Sequence, residues 1–198
     1  MKTTTWNGAG RRIYMQEVGT RDGLQMEQAF VPTEDKIALV NALSAAGLAK
    51  IEVTSFTSPT AIPALRDAEI VMREIERRPG VVYTALVPNM RGAERAIESK
   101  TDELNLVMSA SETHNLANLR MTREQSFTSL AQVVTLAHEA DVEVNVSLSC
   151  VFGCPMEGDV TEAEVLGIVQ RFAESDVGAI TLRDNTGLPY PTQDAEIT

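Results

Sequence analysis

Six short runs of β-branched and apolar residues, separated by stretches of helical spacing, constrain this chain more than any other feature. The runs cover residues 12–18, 50–55, 81–87, 103–108, 142–149 and 179–183. Between them, Leu130, Val134 and Ala137 fall on one helical face, as do Val165, Ile168, Val169 and Phe172. Strand then helix, repeated about every 30 residues, reads as right-handed βαβ units around a parallel sheet. Thr33, Thr122 and Thr161 each precede a helical run and are candidate N-caps, and Gly47 stands where the first helix should end in a left-handed cap.

Two parallel architectures fit that alternation. A doubly wound nucleotide-binding sheet needs a glycine-rich turn after its first strand; Gly8-Ala9-Gly10 precedes that strand and lacks the third glycine. A (β/α)8 TIM barrel instead concentrates unusual polar residues at the C-terminal ends of its strands. Arg21, Asp22, Glu52, Asn105 and Asp184 occupy such positions. The expected fold is therefore α/β of (β/α)8 TIM-barrel type, incomplete with about six βα strands, and residues 1–198 read as one C-terminally truncated barrel domain. Two open strand edges and an exposed apolar interior would favour pairing with another copy, so a homo-oligomer is expected.

The 28 acidic and 17 basic side chains give a net charge of −11, which argues against nucleic-acid or anionic-membrane partners. No apolar run reaches membrane-span length and the N-terminus is not of signal-peptide type, so the expected location is cytoplasmic. The only cysteines, Cys150 and Cys154, fit neither a C-x-x-C redox pair nor a four-ligand zinc site and read as buried, reduced thiols. Acyl-serine and nucleotide-hydrolysis motifs are absent.

The stretch Glu17-Val18-Gly19-Thr20-Arg21-Asp22-Gly23-Leu24-Gln25 carries the sharpest chemical signal. An aspartate at a strand end can hold a hard divalent cation, while an adjacent guanidinium meets negative charge developing on a substrate oxygen. An ion pair that merely closes the loop is the alternative. Glu52 lies in an apolar strand, where a carboxylate needs a partner, and Arg21 is the expected one. Asp184 repeats the pattern on the sixth strand, with a turn-forming or capping role as its alternative. His114 follows the fourth strand on the expected active-site rim, whereas His138 sits mid-helix and reads as a surface residue.

With Ile51-Glu52-Val53-Thr54-Ser55-Phe56, Ser149-Cys150-Val151-Phe152-Gly153-Cys154-Pro155-Met156-Glu157-Gly158 and Leu182-Arg183-Asp184-Asn185-Thr186-Gly187 added to the Arg21 motif, the chain resembles the 3-hydroxy-3-methylglutaryl-CoA lyase family of metal-dependent TIM-barrel acyl-CoA lyases. The resemblance implies retro-Claisen cleavage of an acyl-CoA substrate to acetyl-CoA and acetoacetate. It implies Asp22 as ligand of a divalent metal, Mg2+ or Mn2+, Arg21 as stabiliser of the enolate oxygen, and Glu52 and Asp184 as active-site carboxylates. Gln25 and His114 are the expected substrate-binding residues. The family's H-x-H ligands, a later Asn ligand and its proton-donating cysteine would fall beyond Thr198. Arg183 and Asn185 around Asp184, and Asn145 and Ser147 on the fifth strand, depart from the family pattern. Alternatives are a lyase for a related substrate such as citramalyl-CoA, a condensing relative acting on a 2-oxo acid, and a non-catalytic fragment that self-associates.

Overall fold

The computed structural model describes residues 14–184 and Gly187. Its strands are β1 (Gln16–Glu17), β2 (Lys50–Ser55), β3 (Val82–Val87), β4 (Glu103–Ser109), β5 (Glu143–Ser149) and β6 (Ala179–Arg183). Helices α1 (Thr33–Ala45), α2 (Ala68–Glu74), α3 (Met90–Glu98), α4 (Glu112–Leu119), α5 (Arg123–Glu139) and α6 (Glu162–Ala173) fill the connections. All five strand pairings are parallel, and the order across the sheet is β1-β2-β3-β4-β5-β6. That order never reverses, so the described strands contain no switch point of doubly wound type and each crossover advances one strand in the same direction. The winding is that of a (β/α)8 barrel carried through six strands.

Five of the six expected strands agree to within one residue at each end. The first is shorter than expected: among the described residues only Gln16 and Glu17 pair with β2, because the chain then coils into a π-helical turn over Gly19–Gly23. Arg12, Ile13 and the Gly8-Ala9-Gly10 stretch lie outside the described residues. Thr122 and Thr161 cap α5 and α6 with full capping boxes, their hydroxyls accepting from the N–H groups of Gln125 and Glu164. Thr33 does not act as a cap. Pro32 takes that position, leaving the Thr33 hydroxyl to donate to Asp67 instead. Gly47 adopts φ +81°, the left-handed conformation expected after α1.

The main core lies between sheet and helices. Leu104, Leu106 and Met108 of β4 and Val144, Val146 and Leu148 of β5 face outward and pack with Leu130, Val133, Val134 and Ala137 of α5 in one buried cluster. Because side chains alternate across a strand, the opposite face of β4 and β5 carries Asn105, Ser109, Asn145, Ser147 and Ser149. The large apolar interior expected from the sequence is therefore corrected. On β4 and β5 the face inside the half-barrel is mostly polar, Val107 being an apolar exception, and Asn105, Asn145 and Ser147 find hydrogen-bond partners on neighbouring strands.

Candidate active site

The π-helical turn after β1 gathers the first site residues. Val18 O accepts from the N–H groups of both Arg21 and Asp22, at 3.0 and 2.7 Å, and the Thr20 hydroxyl donates to the Glu52 carbonyl at 2.8 Å, pinning the turn to β2. Single π turns of this kind recur at functional sites. The turn sends Arg21 inward, with 4% of its surface exposed, and leaves the Asp22 side chain 58% exposed at the rim.

Glu52 is fully buried, so its placement in β2 faces the interior rather than solvent. A register shift between Glu52 and Thr54 in the β2–β3 pairing marks a bulge at this position, a device that re-aims a side chain. The Arg21 guanidinium forks between two carboxylates, with one terminal nitrogen 2.5 Å from Asp22 Oδ1 and the other 2.9 Å from Glu52 Oε2. Its Nε–H is buried and has no partner among the described residues. A buried donor left unpaired is costly, which makes this N–H a candidate to meet a group outside the described residues.

The second Glu52 oxygen accepts from Asn105 Nδ2 at 2.7 Å. Asn105 Oδ1 then accepts from Asn145 Nδ2 at 2.9 Å and Ser147 Oγ at 2.8 Å, and Asn145 Oδ1 accepts from Thr181 Oγ1 at 2.9 Å. A continuous polar chain thus crosses the interior from Arg21 to β6. Sequence reasoning picks out Asn105 only as a strand-end residue and assigns no role to Asn145, Ser147 or Thr181. Their shared signal is polarity at alternate positions of otherwise apolar strands, as in Asn145-Val146-Ser147.

The remaining expected site residues are dispersed along the rim. Asp184 follows β6, is exposed, and accepts from the Gly187 N–H at 2.8 Å, so it closes a turn; Asn185 lies outside the described residues. Gln25 lines a cleft of about 360 Å³ with Phe30, Ile62, Pro63 and Arg66. His114 lies in the first turn of α4, half-buried, with Nδ1 buried and unpartnered among the described residues. His138 is exposed, as expected.

Sequence reasoning misses a clamp between the β5–α6 loop and the start of α4. Glu157 Oε1 accepts from the Thr113 N–H at 2.7 Å and from its hydroxyl at 2.5 Å. Donation by Ser111, then by Thr113, holds the Glu157 carboxyl down at about 2. Cys150 and Cys154 are both buried and carry no disulfide. Burial pushes the Cys150 thiol up. Burial also acts to raise Cys154, but hydrogen bonding to its sulfur, from the Met156 N–H at 3.4 Å among others, outweighs it and leaves that thiol lowered. Inertness therefore describes Cys150 better than Cys154, whose tuning comes from hydrogen-bond donors rather than from adjacent cations.

No group of three or more His, Cys, Asp or Glu side chains is arranged to hold a metal among the described residues. Asp22 is a chemically suitable single ligand for a hard cation, since it is an exposed carboxylate of which only Oδ1 is engaged by Arg21. No described helix is long and apolar enough to cross a membrane.

Comparison with known proteins agrees with the fold. The chain is 44% identical over 183 residues to the hydroxymethylglutaryl-CoA lyase YngG of Bacillus subtilis, covering 92% of this chain and 61% of that relative. It is 35% identical over 191 residues to the human mitochondrial hydroxymethylglutaryl-CoA lyase, covering 96% and 59%. The solved HMG-CoA lyase from Bacillus subtilis superposes with a TM-score of 0.90 at 44% identity, covering 94% of this chain and 62% of that one. An HMG-CoA lyase from Acinetobacter baumannii, solved in complex with coenzyme A and 3-methylmalate, gives 0.88 at 46% identity, covering 93% and 60%. The chain thus spans about three-fifths of the length of these relatives, which are TIM barrels. A family model described as HMGL-like matches residues 12–198, and with a buried Arg21 forked between Asp22 and Glu52 at the start of a sequentially wound parallel barrel, the chain belongs to the HMGL-like family.

Proposed function

We propose that this barrel domain supplies the Arg21, Asp22 and Glu52 part of an active site that cleaves 3-hydroxy-3-methylglutaryl-CoA to acetyl-CoA and acetoacetate. The observation that carries the reading is the Arg21 fork: a buried guanidinium fixed by two carboxylates, with its Nε–H unpaired among the described residues. In the reaction the tertiary hydroxyl loses its proton, the neighbouring C–C bond breaks, and its electron pair moves onto the thioester as an enolate. Protonation at carbon then gives acetyl-CoA. A donor already fixed where that negative charge develops costs no reorganisation during bond cleavage, and Arg21 is such a donor.

Glu52 keeps the guanidinium from turning wholly toward Asp22, and Asp184 adds a carboxylate at the end of β6. Gln25 and His114 are proposed to contact the acyl-CoA substrate. His114 Nδ1, buried and without a partner among the described residues, supports that assignment. Asp22 would be one ligand of a divalent cation, Mg2+ or Mn2+, which when bound supplies Lewis-acid positioning of substrate oxygens. The same reading takes the protein as a cytoplasmic homo-oligomer with no nucleic-acid or membrane partner; the acidic charge balance supports the absence of polyanionic partners.

The test is acetyl-CoA release from 3-hydroxy-3-methylglutaryl-CoA by the full-length gene product, with and without Mg2+ or Mn2+. Metal-dependent release is expected. No release with any 3-hydroxyacyl-CoA at saturating metal would refute the reading.

A further inference from the structure

The interior polar chain has a direction, and a single charge sets it. A carboxylate only accepts hydrogen bonds, so the Asn105 amide must turn its NH2 group toward Glu52 Oε1. Its carbonyl oxygen is then left facing β5, where it accepts from Asn145 Nδ2 and Ser147 Oγ. Having spent its NH2 group, Asn145 has only its carbonyl oxygen for β6, and Thr181 donates to it. Every choice of donor and acceptor between β2 and β6 follows from the negative charge on β2.

We infer that Asn105 is the positioning residue for Glu52, and that Asn105, Asn145, Ser147 and Thr181 form a polarised relay that holds the Glu52 carboxylate against Arg21. The inference rests on the reading of Arg21 as the group that meets the developing enolate. Glu52 reaches its position through three rotatable bonds, and Arg21 engages only one of its oxygens. Without a donor on the other oxygen, the carboxylate can swing away from the fork. Arg21 would then be left to Asp22 alone, drawing that carboxylate away from any cation it serves. The relay is anchored at its far end on β6, three residues before Asp184, so it also ties the last described strand to the first site residue.

Three variants of the full-length gene product test this. Asn105→Leu removes the donor and both acceptor contacts; kcat for acyl-CoA cleavage should fall about 10–100-fold while KM stays within about twofold, the split expected for lost positioning. Asn105→Asp sets a second carboxylate against Glu52 and should lower the melting temperature by about 10 °C. Glu52→Gln combined with Asn105→Asp restores every donor–acceptor match. The glutamine introduced on β2 accepts from Arg21 and donates to the aspartate introduced on β4, which still accepts from Asn145 and Ser147. That double variant should regain most of the lost melting temperature yet remain without turnover, because the charge has moved from β2 to β4, away from Arg21.

A double variant no more stable than Asn105→Asp overturns the relay whatever reaction the protein catalyses, and so does an Asn105→Leu protein with unchanged kcat. Recovery of stability in the double variant, with no cleavage even by the unsubstituted protein, overturns the functional reading and leaves the relay standing.

Discussion

Two buried ion pairs in this molecule use the same chemistry for different ends. Lys36 and Asp67 join α1 to the start of α2 at 2.7 Å, with side chains 4% and 6% exposed. Every charged atom there is spoken for: Lys36 Nζ also donates to the Ala64 carbonyl and sits 4.2 Å from the centre of the Phe30 ring, and Asp67 Oδ2 accepts from Thr33. Arg21 and Glu52 are equally buried, but their surroundings are unfinished, since Arg21 Nε lacks a partner among the described residues and its second terminal nitrogen reaches a rim-exposed carboxylate. A closed network stabilises a helix packing; the open one, at the C-terminal end of a barrel strand, is where the proposed function would have a substrate complete the bonding.

Breaking the closed pair should have the largest effect on folding. Lys36→Met leaves the Asp67 carboxylate buried without its cation and should cost about 3–5 kcal/mol in denaturant unfolding. The residual folded protein should retain its kcat, because neither Lys36 nor Asp67 bonds to Arg21, Asp22 or Glu52. A loss of kcat in folded Lys36→Met protein would mean that the two pairs are not separate in function.

A smaller change sharpens the same contrast. Thr33→Val removes only the hydroxyl donated to Asp67 and should cost about 1 kcal/mol, as for a single hydrogen bond to a charged group with its partner still paired. An effect as large as that of Lys36→Met would show that the hydroxyl rather than the ammonium holds Asp67 in place.

The smallest effect belongs to the exposed clamp at Glu157. Its carboxyl is depressed from 4.5 to about 2 in the folded protein, so its contribution is fully present above pH 4.5 and is lost as the pH falls toward 2. An NMR titration of the Glu157 side-chain carboxyl should show the depressed midpoint, and Thr113→Val should move it back toward the ordinary value. A midpoint near 4.5 in the unsubstituted protein would show that the clamp does not form in solution.

The open pair is legible in the sequence and the closed one is not. Arg21 and Asp22 are adjacent and end a strand, so local order alone exposes them, and Glu52 betrays itself as a carboxylate within an apolar run. Lys36 and Asp67 are 31 residues apart on two different helical segments, each plausible as a surface charge, and only the docking of α1 on α2 joins them. The strands are readable because apolar and β-branched runs recur with the spacing of βαβ units. The polar interior is not, because an asparagine or serine within a strand reads equally well as solvent-facing until the sheet winds and turns that side inward. Thr33 departs from expectation for a related reason: local pattern favours a cap, and tertiary pairing with Asp67 takes its hydroxyl.

The proposed function requires that the Arg21 fork, rather than its charge alone, serve catalysis. It is tested most directly by measuring acetyl-CoA release and melting temperature together in Arg21→Lys. A lysine keeps a cation beside Glu52 but cannot span two carboxylates while offering a further fixed donor. The expected melting temperature is close to that of the unsubstituted protein and the expected kcat is lower by about 10²–10³. Undiminished kcat in that variant would contradict the requirement.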